Sequence, residues 1–199
     1  LESAAYKVSK VNKKQSKRHP VAPFTTSTLQ QEAWLKLRFT AKRTMAVAQQ
    51  LYEGLSLGSD GQLGLITYMR TDSTSVSTEF CNEARTYIAE KFGARYVPTS
   101  TRIYRKKAKG AQEAHEAIRP TSAHRDMDNL KSHLNGEQMK LYELIWKRMI
   151  ASQMSDAEID STSVLIEADS HASGQGYLLG ASGSVITFPG FLALYSVDP

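Results

Sequence analysis

Tyr68 and Arg70 are the side chains in this sequence whose types and spacing best suit nucleophilic chemistry at a phosphate. In an extended chain, residues two positions apart point the same way, which places the guanidinium beside the phenol. A free tyrosine has a pKa of about 10, so it is a poor nucleophile until a cation stabilises the phenolate. Arg70 supplies that cation, and its planar fork also suits a phosphodiester. Taken alone, the pair is equally compatible with a tyrosine at a domain edge beside a surface arginine.

Other polar residues accompany this pair. Thr67, Thr71 and Asp72 add hydrogen-bonding groups next to the tyrosine. Further along the chain lie His115 and Arg119, the latter directly before a proline. A histidine near a phosphate can donate a hydrogen bond or a charge. From the residues alone, a purely structural role for this histidine stays open.

The sequence predicts no metal site. Cys81 is the only cysteine, which excludes a disulfide or a cysteine-rich zinc site within one chain. The other histidines lack the spacing of zinc ligands; they are His19, His124, His133 and His171. A single cysteine favours a reducing, intracellular setting.

The charge of the chain favours a polyanionic partner. The 199 residues carry a net charge of +5. Basic residues form two runs: Lys7, Lys10, Lys13, Lys14, Lys17 and Arg18, and then Arg102, Arg105, Lys106, Lys107 and Lys109. Runs that flank a nucleophile suit phosphate contacts, although isolated runs are as often solvated loops. No apolar run approaches the roughly 20 residues that cross a bilayer, so we expect no membrane contact.

Two short helices are predicted in the first part of the centre of the chain. The first spans about 28–38, with a cap at Ser27 or Thr28. Its apolar side consists of Leu29, Ala33, Leu37 and Trp34. The second is capped by Thr40. Its apolar side consists of Met45, Ala48, Leu51 and Tyr52. Such a pair resembles a helix-turn-helix, which is also common in plain helical packing.

The rest of the centre alternates between buried and capped elements. Residues Gly64–Tyr68 form a candidate for a short buried strand. A helix over about 78–92 follows, capped by Ser77 and ended by Gly93. A longer helix over about 137–153 carries an apolar stripe that is typical of a core.

Both ends of the chain change to the two-residue period of strands. Residues Tyr6–Val11 alternate between apolar and polar side chains, as in a strand, and a charged stretch without this pattern follows. Residues Ile159–Ala168 predict one strand, and Gly176–Phe188 predict a hairpin that turns near Ser182–Gly183.

These patterns predict an α+β fold with two domains. A mainly helical domain, residues 26–155, is inserted into a discontinuous antiparallel β domain. The β domain consists of residues 1–25 and 156–199. The helical domain bears the tyrosine and the helix-turn-helix-like elements.

Several segments together resemble type IA DNA topoisomerases. Gly64–Ser73 looks like the active-site signature of that family, and Tyr68-Met-Arg-Thr-Asp-Ser is similar to its bacterial members in particular. His115-Glu-Ala-Ile-Arg-Pro-Thr agrees with a second block. Other stretches agree in the right order: Pro23–Ala33, Ala48–Glu53, Leu141–Trp146, Asp160–Thr162 and Gly183–Phe191. An ordered set over nearly the whole chain is highly specific.

The resemblance implies a role for each matching residue. Tyr68 would attack a DNA phosphodiester and form a 5′-phosphotyrosyl bond, Arg70 would stabilise the attacked phosphate, and His115 would contact phosphate nearby. The residues implied to bind DNA are Gln49, Glu53, Thr67, Thr71, Asp72 and Arg119. Resealing would need no ATP, because the bond energy stays in the phosphotyrosine. The β domain would be the hinge on which the tyrosine domain lifts to let a strand pass.

The family also uses Mg²⁺, held by an acidic domain that has no counterpart in this sequence. Asp126-Met-Asp128 is a spaced acidic pair, but it lies at a helix start and misses the family's context. The resemblance therefore implies a piece of a longer monomeric enzyme, with Mg²⁺ ligands outside this chain and no relaxation of supercoiled DNA by the chain alone. Its partners would be DNA and the remaining domains, in the bacterial cytoplasm at the nucleoid. The loop 55–63 is longer than in some relatives.

Two alternatives follow from the same residues. A non-enzymatic helix-turn-helix module would use the first two helices and the basic runs, but it leaves the Tyr68 and His115 blocks unexplained. Decatenating or reverse-gyrase relatives usually carry a proline where Met69 stands, which argues against them.

Overall fold

The computed structural model describes residues 4–56, 61–104, 115–170 and 175–195, so Lys106 and its basic neighbours lie outside the described residues. The elements in chain order are β1 (Ala5–Arg18), α1 (Thr26–Leu37), α2 (Ala41–Glu53), β2 (Leu55–Ser56), β3 (Gln62–Leu63), α3 (Thr78–Phe92), α4 (Met127–Leu130), α5 (Gly136–Ser152), β4 (Ala157–Ser170) and β5 (Gln175–Phe188). The α+β class is therefore confirmed. Among the described residues, no helix has the length and apolar character to cross a membrane.

The chain divides into two compact units, a β unit and a helical unit. The β unit combines Leu1–His19 with Asp156–Gly190, and the helical unit combines Pro20–Ser155 with Phe191–Pro199. The chain passes between the two units three times, because residues from both ends of the sequence contribute to each.

The β unit is a three-stranded antiparallel sheet in the order β1-β4-β5. The prediction that the strand pattern ends after Val11 in a charged stretch is wrong, because β1 continues to Arg18 and stays paired with β4. Lys7 lies opposite Glu167 and Lys17 opposite Glu158. Opposite charges across a strand pair are stabilising, and lysines are well tolerated on an edge strand.

The predicted hairpin within 176–188 is also wrong. β5 runs unbroken, and Ser182 and Gly183 pair with Ser163 and Thr162 in the middle of β4. Small and polar residues at these positions look like a turn in the sequence. Both strands are exposed here, so no apolar side chain is needed, and the pairing with β4 decides the conformation.

The helical unit has its core on α5, which packs against α1 and α2. The apolar stripe of α5 is buried as predicted: Tyr142, Ile145, Trp146, Met149 and Ile150. Trp34 is not part of this core, contrary to the prediction, since it is 52% exposed. Helix α1 buries Leu29 and Ala33 as predicted, a stripe too narrow to include the tryptophan.

The helix caps are mostly as predicted. Thr40 and Ser77 accept backbone hydrogen bonds at the starts of α2 and α3, and Gly93 ends α3 at a positive φ. The start of α1 differs, because Thr25 is its cap and forms a capping box with Thr28. A threonine two positions before Ser27, the earlier of the expected caps, therefore defines the first turn.

The boundaries of the units differ from the predicted 1–25 and 156–199. Residues 20–25 and 191–195 belong to the helical unit. Phe24 and Phe191 are fully buried there, and the Phe191 N–H donates to the carbonyl of Ser155 over 3.0 Å. The Arg148 Nε likewise donates to the carbonyl of Ala22 over 2.6 Å. Burial of two aromatic rings, which no local pattern reveals, sets these boundaries.

Candidate active site

The segment Gly64–Ser75, which carries the candidate nucleophile, is held by hydrogen bonds to segments distant in sequence. The Leu65 N–H donates to the carbonyl of Leu51 in α2 over 2.7 Å. The Thr67 N–H donates to the carbonyl of Arg119 over 2.9 Å. Leu65 is buried as expected, but the segment forms only an isolated bridge and not the predicted strand.

Side chains alternate between solvent and core around the tyrosine. Tyr68 is 37% exposed, Met69 is fully buried, Arg70 is exposed, Thr71 is buried and Asp72 is exposed. The Met69 side chain is buried in the core and holds the segment there, whereas the side chains of Tyr68 and Arg70 both reach solvent. The backbone bends at Met69 and Arg70, so it is not the extended chain assumed from the spacing. Within the described part of the chain, the Arg70 guanidinium has no hydrogen bond or ion pair.

Two aromatic rings flank the Tyr68 ring. The Tyr52 ring meets it edge-on with centroids 5.4 Å apart, and the His115 ring lies 5.8 Å away. The structure thus brings His115 beside Tyr68, although 47 positions separate them in sequence (115 − 68). Sequence reasoning missed Tyr52 as a neighbour of the phenol, because it assigned the residue to the apolar side of α2. Tyr52 is instead exposed at the last turn of that helix.

The last two turns of α2 bring two further candidates to the same neighbourhood as Tyr52. The Gln49 amide donates to the Glu53 carboxylate over 2.5 Å, a pair one helical turn apart. Tyr52 precedes Glu53 directly, so this end of α2 lies next to Tyr68. The amide here can donate hydrogen bonds to a nucleic acid or accept them from it, and the carboxylate can accept them.

Thr67 and Arg119 make internal contacts that the sequence did not predict. The Thr67 hydroxyl donates to the carbonyl of Ala117 over 2.7 Å and accepts from the Arg119 N–H over 3.0 Å. The Arg119 guanidinium donates to Glu116 over 2.7 Å through Nε and lies over the Phe80 ring, 4.4 Å from its centroid. These contacts link the tyrosine segment to the His115 segment. They also engage much of the hydrogen-bonding capacity of both side chains.

Thr26, in the first turn of α1, contacts the backbone on both sides of Arg70. Its hydroxyl donates to the Met69 carbonyl over 2.7 Å and accepts from the Thr71 N–H over 2.9 Å. Its own N–H donates to the Thr71 carbonyl over 2.9 Å. Sequence reasoning missed this residue, because its partners lie more than 40 positions away. The only indication of its importance in the sequence was its place in Pro23–Ala33, one of the stretches that resemble type IA topoisomerases.

The described residues contain no group of three histidine, cysteine, aspartate or glutamate side chains placed to hold a metal ion. Asp126 serves a structural purpose, because its carboxylate caps α4 by accepting from the Asn129 N–H. The Asp126-Met-Asp128 pair is therefore a helix start, as the sequence indicates.

Known proteins are similar to this chain over all or nearly all of its length. A family model described as DNA topoisomerase matches residues 1–199. The chain belongs to the type IA DNA topoisomerase family, in its bacterial branch.

The relatives are bacterial topoisomerases of greater length. DNA topoisomerase 1 of Rickettsia bellii is 49% identical over 200 residues, covering all of this chain and 24% of that protein. The Xylella fastidiosa enzyme of the same name is 47% identical over 188 residues, 94% of this chain and 22% of that protein. Full-length topoisomerase I from Thermotoga maritima superposes with a TM-score of 0.81 at 39% identity, over 98% of this chain and 30% of that structure. The chain thus spans about a quarter of the length of the curated relatives it matches.

Proposed function

We propose that this chain supplies the DNA-cleaving tyrosine of a type IA topoisomerase. The observation that carries the proposal is the exposed Tyr68 ring, with Arg70 two residues on and the His115 ring 5.8 Å away. A nucleophile, a guanidinium and an imidazole together suit in-line attack on a phosphodiester. The bacterial relatives named DNA topoisomerase 1 support the same reaction class.

The Tyr68 oxygen attacks a phosphorus of single-stranded DNA, and the bond from that phosphorus to the 3′-oxygen breaks. The tyrosine loses its proton, the 3′-oxygen gains one, and the DNA 5′-phosphate is held as a phosphotyrosine. The reverse reaction reseals the strand without ATP, since no bond energy is lost to water. Arg70 stabilises the charge that develops on the phosphate oxygens, and His115 donates to a phosphate oxygen nearby.

The DNA strand runs past the end of α2 towards Arg70. The side chains proposed to line it are Gln49, Glu53, Thr67, Thr71, Asp72 and Arg119. Asp72 is exposed and available for direct contact, whereas Thr67 and Arg119 act mainly through the backbone they hold. Phosphate contacts of this kind fix the register of the strand and carry no sequence preference.

The whole enzyme then relaxes negatively supercoiled DNA by passing a strand through the transient break. Mg²⁺ is bound by carboxylates outside this chain. The β unit, built from both ends of the sequence, acts as the hinge of the gate. This chain by itself neither binds Mg²⁺ nor relaxes DNA, and the complete enzyme works as a cytoplasmic monomer.

Covalent trapping tests the assignment of the nucleophile. The full-length protein is mixed with Mg²⁺ and a labelled single-stranded oligonucleotide, denatured, and examined on a gel. We expect an adduct through a 5′-phosphate on this part of the protein, which Tyr68→Phe abolishes. Tyr177→Phe is a matched control, because Tyr177 is 41% exposed but lies in the β unit.

An adduct that survives Tyr68→Phe would contradict the assignment. DNA binding without any adduct in the wild-type protein would instead favour the helix-turn-helix binding module. That module requires the packing of α1 and α2 and does not require the tyrosine.

A further inference from the structure

We infer that Thr26 is a positioning residue for the cleavage reaction, holding the bend between the nucleophile and its arginine. The inference rests on the function proposed for Tyr68 and Arg70. The Thr26 hydroxyl bonds one group from each of the two peptide units that flank the Arg70 Cα, the Met69 carbonyl at 2.7 Å and the Thr71 N–H at 2.9 Å. A single oxygen thereby sets the direction in which the Arg70 side chain leaves the backbone.

The two hydrogen bonds of the Thr26 hydroxyl, to the Met69 carbonyl and the Thr71 N–H, are called the clamp below. The clamp matters because the side chains of Arg70 and Tyr68 have few other constraints. Arg70 has no hydrogen bond or ion pair among the described residues, and Tyr68 is 37% exposed. The position of the Arg70 side chain therefore depends on the backbone, which bends at Met69 and Arg70, whereas the Tyr68 ring also lies against the rings of Tyr52 and His115. The buried side chain of Met69 holds the backbone at that residue, but it does not prevent rotation of the backbone at the bend.

Thr26 itself is rigidly placed. It occupies the first position of α1, where Thr25 and Thr28 form the capping box, and its N–H donates to the Thr71 carbonyl over 2.9 Å. A β-branched side chain has a restricted χ1, so the hydroxyl stays directed at the bend. The Thr26 N–H and hydroxyl both connect the helix start to this segment, but only the hydroxyl bonds the peptide unit between Met69 and Arg70.

The inference predicts a loss of rate without a loss of DNA affinity. In the full-length protein, Thr26→Val keeps the shape of the side chain but removes the hydroxyl. We expect single-turnover cleavage of an oligonucleotide to slow by about 10-fold to 100-fold, because small misplacements of reacting groups have effects of this size. The Kd for the same oligonucleotide should stay within about 2-fold of wild type, because the clamp touches no exposed phosphate-binding atom.

Thr26→Ser and Thr44→Val separate positioning from stability. The serine variant keeps the hydroxyl and should cleave at close to the wild-type rate. Thr44 is fully buried and donates to the carbonyl of Thr40 over 3.0 Å, so Thr44→Val removes a comparable bond within α2. It should lower the melting temperature at least as much as Thr26→Val, with little change in cleavage rate.

The outcomes distinguish this inference from the proposed function. If Thr26→Val cleaves at the wild-type rate, the inference alone is overturned. The same holds if Thr26→Val and Thr26→Ser lose the same fraction of the cleavage rate. No Tyr68-dependent adduct in the wild-type protein overturns both. Should Thr26→Val fail to fold, hydrogen exchange on the wild-type protein decides: slow exchange of the Thr71 amide supports the clamp, and rapid exchange overturns it.

Discussion

At Gly64 the backbone that leads to the proposed nucleophile, Tyr68, passes too close to α2 for any side chain to fit. A Cβ placed there would lie 2.7 Å from the carbonyl oxygen of Tyr52. The next residue continues the contact, since the Leu65 N–H donates to the Leu51 carbonyl over 2.7 Å. This approach sets how near the tyrosine segment lies to the end of α2, where the Tyr52 ring meets Tyr68.

Gly64→Ala should therefore impair both stability and the proposed cleavage. The new methyl group meets backbone, which cannot rotate away, so the free energy of unfolding should fall by about 1–3 kcal/mol. The cleavage rate should fall as the segment moves away from α2. Denaturant unfolding and oligonucleotide cleavage measure the two effects. Gly136→Ala is the control, because a Cβ there meets no atom within 4 Å, and equal behaviour of the two variants would refute the argument.

At the scale of elements, local signals decide where most helices begin and end. Arg38 is an exception, because it ends α1 in the left-handed region at φ 59°, a conformation that favours glycine. Its N–H donates to the carbonyls of Ala33 and Trp34, as a helix C-cap should. The short connection to α2 requires this conformation, so the chain adopts it without the residue best suited to it.

Arg38→Gly should stabilise the helical unit. Relief of the left-handed strain is worth about 1–2 kcal/mol, and the greater freedom of glycine in the unfolded chain offsets part of it. We expect a net gain of about 0.5–1 kcal/mol in the free energy of unfolding, measured by urea denaturation. Arg38→Ala removes the same charge but keeps the strain, so it should show no such gain. A gain of equal size in both variants would attribute the effect to charge.

Three buried tyrosine hydroxyls hold the helical unit together. The Tyr87 hydroxyl donates to Asp126 over 3.3 Å, and the Tyr142 hydroxyl donates to the Arg125 carbonyl over 2.7 Å. The Tyr195 hydroxyl bonds Glu32. Burial, with a contribution from Asp126, raises the pKa of Tyr87 to about 12. Burial likewise raises the pKa values of Tyr142 and Tyr195 above the usual range.

Stability should consequently fall at alkaline pH. An unfolded tyrosine has a pKa of about 10, so the folded state retains these protons more tightly than the unfolded state. The stabilisation is complete below pH 10 and is lost as the pH rises from about 10 through 12. Urea denaturation at a series of pH values should show this decline, and Tyr87→Phe should make it shallower. An unchanged slope in Tyr87→Phe would show that Tyr87 does not contribute.

Features that depend on residues close together in the sequence could be predicted from the sequence alone. The caps at Thr40 and Ser77 and the buried stripe of α5 rest on local hydrogen bonds and on helical spacing, which a short segment determines by itself. The exposure of both Tyr68 and Arg70 agrees with the prediction that they point the same way, although the backbone between them bends. The family followed as well, since the matching segments keep their order along the chain.

Features that depend on distant partners were decided only by the tertiary structure. Ser182–Gly183 lies in a strand because β4 pairs with it, and Trp34 lies in solvent because Leu29 and Ala33 already fill the contact of α1. The roles of Thr67 and Thr26 depend on carbonyls 50 and 43 positions away, respectively. Nothing local in a sequence indicates such partners. Residue type and spacing thus selected the candidate reacting groups, whereas long-range hydrogen bonds and burial determined how they are held.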